Sequence, residues 1–208
     1  MIFHFRLIRT THLLIISLLL VSCTTSNTLI DREWQVHQTF IANTSYWTLK
    51  GRLNIRQANN SNTVSINWKQ MGQDFEINLS GALGIGATMI SGNQNFIRLQ
   101  QGNENPIEAE NMDELSRNHL GYGFPAEALH YWVRGIPSPD SPAVIELDEN
   151  QLLASLNQRD ARGDNWQLKY DRYHNRDGLS LPGRIRVSHP DYLLTFIIES
   201  WKIQAGDA

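Results

Sequence analysis

From Trp47 onward the apolar residues fall on every second position, and this period of two decides what the chain can fold into. Trp47, Leu49, Gly51, Leu53 and Ile55 alternate with Thr48, Lys50, Arg52, Asn54 and Arg56. Successive side chains of a strand point to opposite faces, so the segment predicts a strand with one dry and one wet face. Asn59-Asn60-Ser61-Asn62 predicts a turn. Val64, Ile66 and Trp68 repeat the alternation, Gly72 turns the chain, and Phe75, Ile77 and Leu79 repeat it again. Three consecutive strands of this kind form a meander.

The pattern resumes after a glycine-rich interruption, Ser80-Gly81-Ala82-Leu83-Gly84-Ile85-Gly86, which is unsuited to a strand interior and predicts a loop with Leu83 near its tip. Ala87 to Ser91 and Asn95 to Gln101 predict two more strands around Gly92-Asn93. Later candidates are Ala143–Leu147, Leu152–Leu156, Asn165–Tyr170, Gly183–Ser188 and Tyr192–Lys202. The last is apolar on both faces near Leu193, Leu194, Phe196, Ile197 and Ile198, which suits a strand covered on both sides.

About three helices punctuate this pattern. Trp34, His37, Phe40 and Ile41 share a face of a helix expected over Arg32 to Ala42. Asn111 with Glu114 three residues on makes a capping box for a short helix to about Asn118. Pro125 and Gly135 bracket a third, with Leu129, Trp132 and Val133 as its apolar stripe. Pro137 and Pro139 then enforce an extended linker. The expected fold is mostly β: an antiparallel barrel of about eleven strands, closed or nearly so, with helices at its mouth.

The N-terminus carries a different message. Arg6 and Arg9 precede a short apolar run, Leu13 to Leu20, broken only by Ser17. A spanning helix needs about 20 apolar residues, so the run reads as the core of a secretory signal. It ends in Leu20-Val21-Ser22-Cys23, and Cys23 is the only cysteine, so no intramolecular disulfide is possible. The expected organisation is a signal over residues 1–22, a polar tether over 23–31 and one domain over 32–208. Removing the signal leaves 208 − 22 = 186 residues with 16 basic against 21 acidic side chains, a net charge of −5. That balance argues against a nucleic-acid surface. Six tryptophans suit either a core or a lipid-contacting wall.

Catalytic and metal chemistry find little support. His37, His119, His130, His174 and His189 include no pair at metal-ligand spacing. No G-x-S-x-G elbow occurs, and the 81–86 loop lacks the Lys and Ser/Thr of a phosphate loop. Asp171, Asp177 and Asp191 lie in turn-rich segments. The expectation is a non-enzyme without cofactor or metal. Leu83 alone has two readings, an apolar side chain tucked into a barrel rim or an exposed tip that enters a bilayer.

Several segments, in order, resemble the LolB family of outer-membrane lipoprotein receptors. They are Trp47–Arg56 with its W-x-L-x-G-R-L start, Asn67-Trp68-Lys69-Gln70, Leu79-Ser80-Gly81-Ala82-Leu83-Gly84, Leu129–Pro139 (LHYWVRGIPSP), Trp166–Tyr173 (WQLKYDRY) and Leu181-Pro182. The resemblance implies a half-open antiparallel barrel with helices over its opening and an apolar cavity for acyl chains. It implies lipoproteins as cargo, received from the periplasmic carrier LolA and released into outer-membrane lipid, and a monomer. Leu20 to Cys23 resembles a lipobox, which makes Cys23 the acylated first residue. Thr24 stands where an Asp would signal retention at the inner membrane, so the implied site is the periplasmic face of the cell outer membrane. The family's membrane-insertion loop falls on Gly81, Ala82, Leu83 and Gly84, its leucine on Leu83; Ala82 stands where members often have Pro. The inward set Leu49, Leu53, Ile55, Val64, Ile66, Trp68, Phe75, Ile77 and Leu79 supplies the candidate cavity wall. The alternative is a lipid carrier of similar barrel fold that does not handle lipoproteins.

Overall fold

The computed structural model describes residues 25–58, 60–81, 86–93, 95–112, 114–115, 118, 125–160, 162–176 and 178–204, with side chains from residue 32 and not at 126. The chain divides at His37/Gln38 into two compact units. Helix α1 (Thr25–Asn43) runs through that boundary and begins well before the expected Arg32. Residues 25–31, read as tether, thus continue the helix; adding residues to an existing helix costs little once a first turn has formed. In the leading unit the Trp34 and His37 rings lie 6.0 Å apart. Beyond the boundary Ile41 is buried and Phe40 is exposed, so the expected apolar face is narrower than four residues.

The second unit is built on one antiparallel sheet. Its strands are β1 (Tyr46–Gln57), β2 (Asn60–Met71), β3 (Asp74–Ser80), β4 (Thr88–Gly92), β5 (Ile97–Gln101) and β6 (Ile107–Ala109), then β7 (Ala143–Leu147), β8 (Leu153–Arg159), β9 (Asn165–Asp171), β12 (Arg184–Ser188) and β13 (Tyr192–Ile203). β10 (His174–Arg176) and β11 (Leu179–Leu181) form a separate hairpin. The order β6-β5-β4-β3-β2-β1-β13-β12-β9-β8-β7 leaves β6 and β7 as edges, so the sheet is not closed. Its two longest-separated strands, β1 and β13, pair at the centre from Trp47↔Ile203 to Gln57↔Tyr192.

Alternation sets this register. Inward Leu53 sits opposite Phe196 on one side and Val64 on the other, while outward Arg52 sits opposite Ile197 and Ser65. A one-residue slip would turn every apolar side chain outward. The β1–β13 ladder shifts between Lys50 and Gly51, and a Cβ on Gly51 would collide with the Ile197 carbonyl and lie 2.9 Å from Ile198 Cα. The first turn differs from expectation. Gln57 pairs with Asn60, Ala58 turns the chain at φ 47°, and Asn60 to Asn62 belong to β2. Asn54 Nδ2 reaches across the ladder to Ser61 Oγ at 3.0 Å and Thr63 Oγ1 at 2.9 Å, which holds those polar residues in the strand.

Short β6 and the β10–β11 hairpin went unforeseen, since three residues are too few to display a period. Helix α2 (Ala126–Trp132) lies where Pro125 and Gly135 bracket it, and Gly135 takes φ 78° just beyond its end. Met112, Glu114 and Leu115 have helical backbone. Asn111 Oδ1 accepts from the Glu114 amide at 2.9 Å, while the Glu114 carboxylate reaches back to the Glu110 amide at 3.2 Å, one residue earlier than a standard capping box. Among the described residues no helix is long and apolar enough to cross a membrane.

Candidate functional site: an apolar cavity in the open sheet

The inward face of β1 to β5 and β13 surrounds a cavity of about 590 Å³. Seven of the nine candidate wall residues line it: Leu53 and Ile55 on β1, Ile66 and Trp68 on β2, and Phe75, Ile77 and Leu79 on β3. Leu49 and Val64 do not. Leu49 is fully buried with Trp68 and Trp201 as its cross-strand neighbours, so it is part of the solid core. Val64 lies nearer the hairpin end of β2 and is half-buried.

Several wall residues escaped the sequence reading. Ile90 on β4, Ile97 on β5, and Leu194 and Phe196 on β13 complete the apolar lining. Their period of two was visible; which strands would curve around the same space was not, because pairing between β1 and β13 spans most of the chain. Met112, Leu129, His130 and Tyr131 close the space from the helical segments, a contribution that helical periodicity alone does not reveal.

Polar groups are present as well. Gln70, Gln73, Asn93 and Asn111 contribute amides, and Glu110, Glu127 and Asp140 contribute carboxylates. The Gln70 amide is held by a bond from its Nε2 to the Gly72 carbonyl at 3.0 Å. An apolar interior with a few polar groups is the usual composition of a small-ligand site, and its volume is within the usual range of roughly 300–1,000 Å³.

An aromatic partition separates the cavity from the packed part of the interior. The Trp47 ring lies 5.2 Å from Trp68, 5.6 Å from Trp201 and 5.7 Å from His130. Burial, and then the neighbouring Arg134 charge, lower the His130 pKa to about 3, so the imidazole at the cavity is neutral at physiological pH. Arg134 is itself almost fully buried, with its pKa lowered by burial to about 10, so it stays charged. Its Nη1 donates to the Ile41 carbonyl at 2.7 Å and the Thr44 carbonyl at 3.0 Å, and its Nε donates to the His130 carbonyl. One guanidinium thereby ties the C-terminal end of α1 to α2 while lying against the Trp47 and Tyr131 rings.

Of the other candidate site residues, Gly81 follows β3 and is half-buried. Ala82, Leu83, Gly84 and Cys23 lie outside the described residues. Among the described residues no cluster of His, Cys, Asp or Glu has a metal-binding arrangement.

Fold and cavity together define a class: open-sheet β domains with a partly open apolar site of ligand size. The family described as "Outer membrane lipoprotein LolB" matches residues 45–201. The chain is 34% identical over 200 residues to the outer-membrane lipoprotein LolB of Ectopseudomonas mendocina, covering 92% of this chain and 96% of that one. It is also 34% identical to the corresponding protein of Stutzerimonas stutzeri, over 81% of this chain and 80% of the other. This chain belongs to the LolB family, which places it at the outer membrane as a lipid-anchored lipoprotein. Solved structures agree on the fold. A LolA superfamily protein from Nitrosomonas europaea superposes with a TM-score of 0.54 at 7% identity, covering 88% of this chain and 95% of that one. A putative outer-membrane lipoprotein-sorting protein domain from Vibrio parahaemolyticus gives 0.52 at 10% identity, covering 85% and 93%.

Proposed function

We propose that the cavity is an acyl-chain site, and that the protein is an outer-membrane receptor that accepts lipoproteins from the periplasmic carrier LolA and inserts them into the outer membrane. The observation that carries this reading is the hollow interior of about 590 Å³ behind an apolar wall, in a chain of the LolB family.

The energetics explain why such a site is needed. A chain of about 16 carbons costs about 0.8 kcal/mol per methylene in water, roughly 13 kcal/mol in all. Cargo with two or three such chains does not diffuse freely between membranes. A cavity of about 590 Å³ is within the range of sites that take ligands the size of an acyl chain. The apolar wall is non-directional and admits any acyl chain, which suits cargo proteins unrelated in sequence. Amides of Gln70, Gln73, Asn93 and Asn111 offer hydrogen bonds to the esters and amides of an acylated cysteine. No step consumes a nucleotide, so each transfer runs down a gradient of affinity. Acylation of Cys23 supplies the anchor, and Leu83 in the Gly81–Gly84 loop is the residue that enters the acceptor bilayer.

The test incubates the purified protein with LolA carrying a radiolabelled lipoprotein. Capture of the label by this protein is expected; retention of the label on LolA rejects the receptor role. Leu83→Glu is expected to capture cargo normally and to deliver little of it to vesicles. Normal delivery by that variant rejects the loop assignment while leaving the cavity assignment intact.

A further inference from the structure

The opposite face of the same strands carries an unusual distribution of charge. The chain has four lysines, Lys50, Lys69, Lys169 and Lys202, and all four are exposed at outward positions of the sheet, on β1, β2, β9 and β13. Four arginines share that face: Arg52 and Arg56 on β1, Arg184 and Arg186 on β12. Register places Arg52, Ile197, Arg184 and Asp171 in one row across the sheet, and Asn54, Thr195, Arg186 and Lys169 in the next. The outward positions of the five adjacent strands β2-β1-β13-β12-β9 thus hold eight of the 18 Lys and Arg residues. They hold two of the 21 acids, Asp171 and Glu199, so the face is net 8 − 2 = +6 in a chain whose total is −3.

The two acids neutralise only part of it. Asp171 is shared between Arg184, at 2.6 Å, and Arg186, at 3.4 Å, and Glu199 pairs with Arg52 at 3.2 Å. Lys69 pairs sideways with Glu76 on β3. Lys50, Arg56, Lys169 and Lys202 have no ion pair among the described residues. Leu193 and Ile197 lie half-buried on this face, beside Arg56 and between Arg52 and Arg184 in the ladders.

Holding like charges at strand spacing is unfavourable, and folding does not require it, because these positions face water. We propose that this outward face docks on anionic phospholipid headgroups of the membrane that carries the protein. The charges spread over five strands, about 19 Å at the usual strand spacing, and do not converge on one point. A diffuse basic surface matches a field of mobile phosphates, and each basic residue near such a surface strengthens attachment. Alternation then fixes the consequence: when Arg52 faces the lipid, Leu53 and the cavity face the periplasm, where cargo arrives.

The experiment reconstitutes the full chain in vesicles of phosphatidylcholine alone or of an equimolar mixture with phosphatidylglycerol. Acetylation of the four lysines is followed by mass spectrometry. The expected result is labelling about tenfold slower on the anionic vesicles, with the difference lost at high salt. Arg52→Glu combined with Arg56→Glu is expected to restore fast labelling at Lys50. Equal rates on the two vesicles overturn the proposal. So does protection that arises only when an acidic periplasmic protein is added, which assigns the face to a protein partner. Cargo transfer from LolA, measured in parallel, is a separate readout, so loss of one reading leaves the other standing.

Discussion

The two halves of the sheet are written in the same alternating pattern and end in different physical states. In β8, β9 and β12 the inward side chains Leu153, Leu156, Leu168, Ile185 and Val187 are essentially sealed from solvent. In β1, β3 and β4 the inward side chains Ile55, Phe75, Ile77, Leu79 and Ile90 are only half-buried and border the cavity. What differs is the cover. Over the packed half, α2 and the residue that caps its end insert Trp132, whose ring lies 5.6 Å from Trp166, and Val133, both fully buried. A single amide clamps that cover in place: Gln158 accepts from Trp132 Nε1 at 2.7 Å and from the Ser138 amide at 3.0 Å, and donates to the Ser138 and Ser141 carbonyls. Over the hollow half Met112, Glu127, Leu129, His130 and Tyr131 border the cavity without filling it. One half supplies rigidity, and the other keeps apolar surface available.

The sharpest way to break this comparison is to make one substitution in both halves. Leu168→Ala removes a side chain from a sealed site and is expected to cost about 4 kcal/mol of stability. Leu79→Ala removes the same atoms from the cavity wall and is expected to cost about 1 kcal/mol, since those atoms have few neighbours to lose. Denaturant midpoints measure both; equal losses would show that the cavity is packed in solution.

Gln158→Leu tests the clamp. It strands the Trp132 N–H and the Ser138 groups in a buried site, and the expected loss is about 3 kcal/mol. A loss below about 1 kcal/mol would mean that α2 is held by apolar packing alone.

Acid sharpens the comparison at the partition. The folded protein holds His130 at a pKa of about 3, against 6.5 for the free side chain. Between these values the unfolded chain binds a proton that the folded one does not, so stability falls as pH drops from 6.5 toward 3, by up to tenfold in the folding equilibrium per unit. His130→Asn, neutral throughout, is expected to flatten that part of the stability–pH curve. An unchanged slope would assign the acid sensitivity to other groups.

Much of this architecture was legible in the residues, and for a definite reason. Long alternating runs such as Trp47 to Ile55 and Tyr192 to Lys202 state both strand and face, because a period of two needs only a few repeats to declare itself. Pro125 and Gly135 marked α2 because each is tied to a backbone angle. Illegible features depend on distant partners. Leu49 and Leu53 carry the same side chain four residues apart on one strand, yet the first is core and the second cavity. Trp201 and Trp68 flank Leu49 across the ladders, whereas Phe196 and Val64 flank Leu53. Nothing within residues 46–57 encodes that difference. Arg134 was equally hidden: inside LHYWVRGIPSP it resembles any surface cation, and only the folded chain brings the Ile41 and Thr44 carbonyls to it.

The smallest stability effect belongs to the substitution that most directly probes function. Ile77→Trp places a large ring on the cavity wall, opposite Trp68 and Ile90 in the ladders. In a sealed core such an insertion costs roughly 1–3 kcal/mol through overpacking. Here the ring has a cavity to enter, and the apolar surface it covers offsets the strain, so the midpoint is expected to move by less than about 1 kcal/mol. Binding of a fluorescent fatty acyl probe is expected to fall sharply, because the ring occupies the space an acyl chain would need. A variant that keeps its stability and also binds the probe undiminished would show that acyl chains bind elsewhere. A variant that unfolds would show that the hollow half is as tightly packed as β8, β9 and β12. Stability and binding therefore separate in this one residue, as they do between the two halves of the sheet.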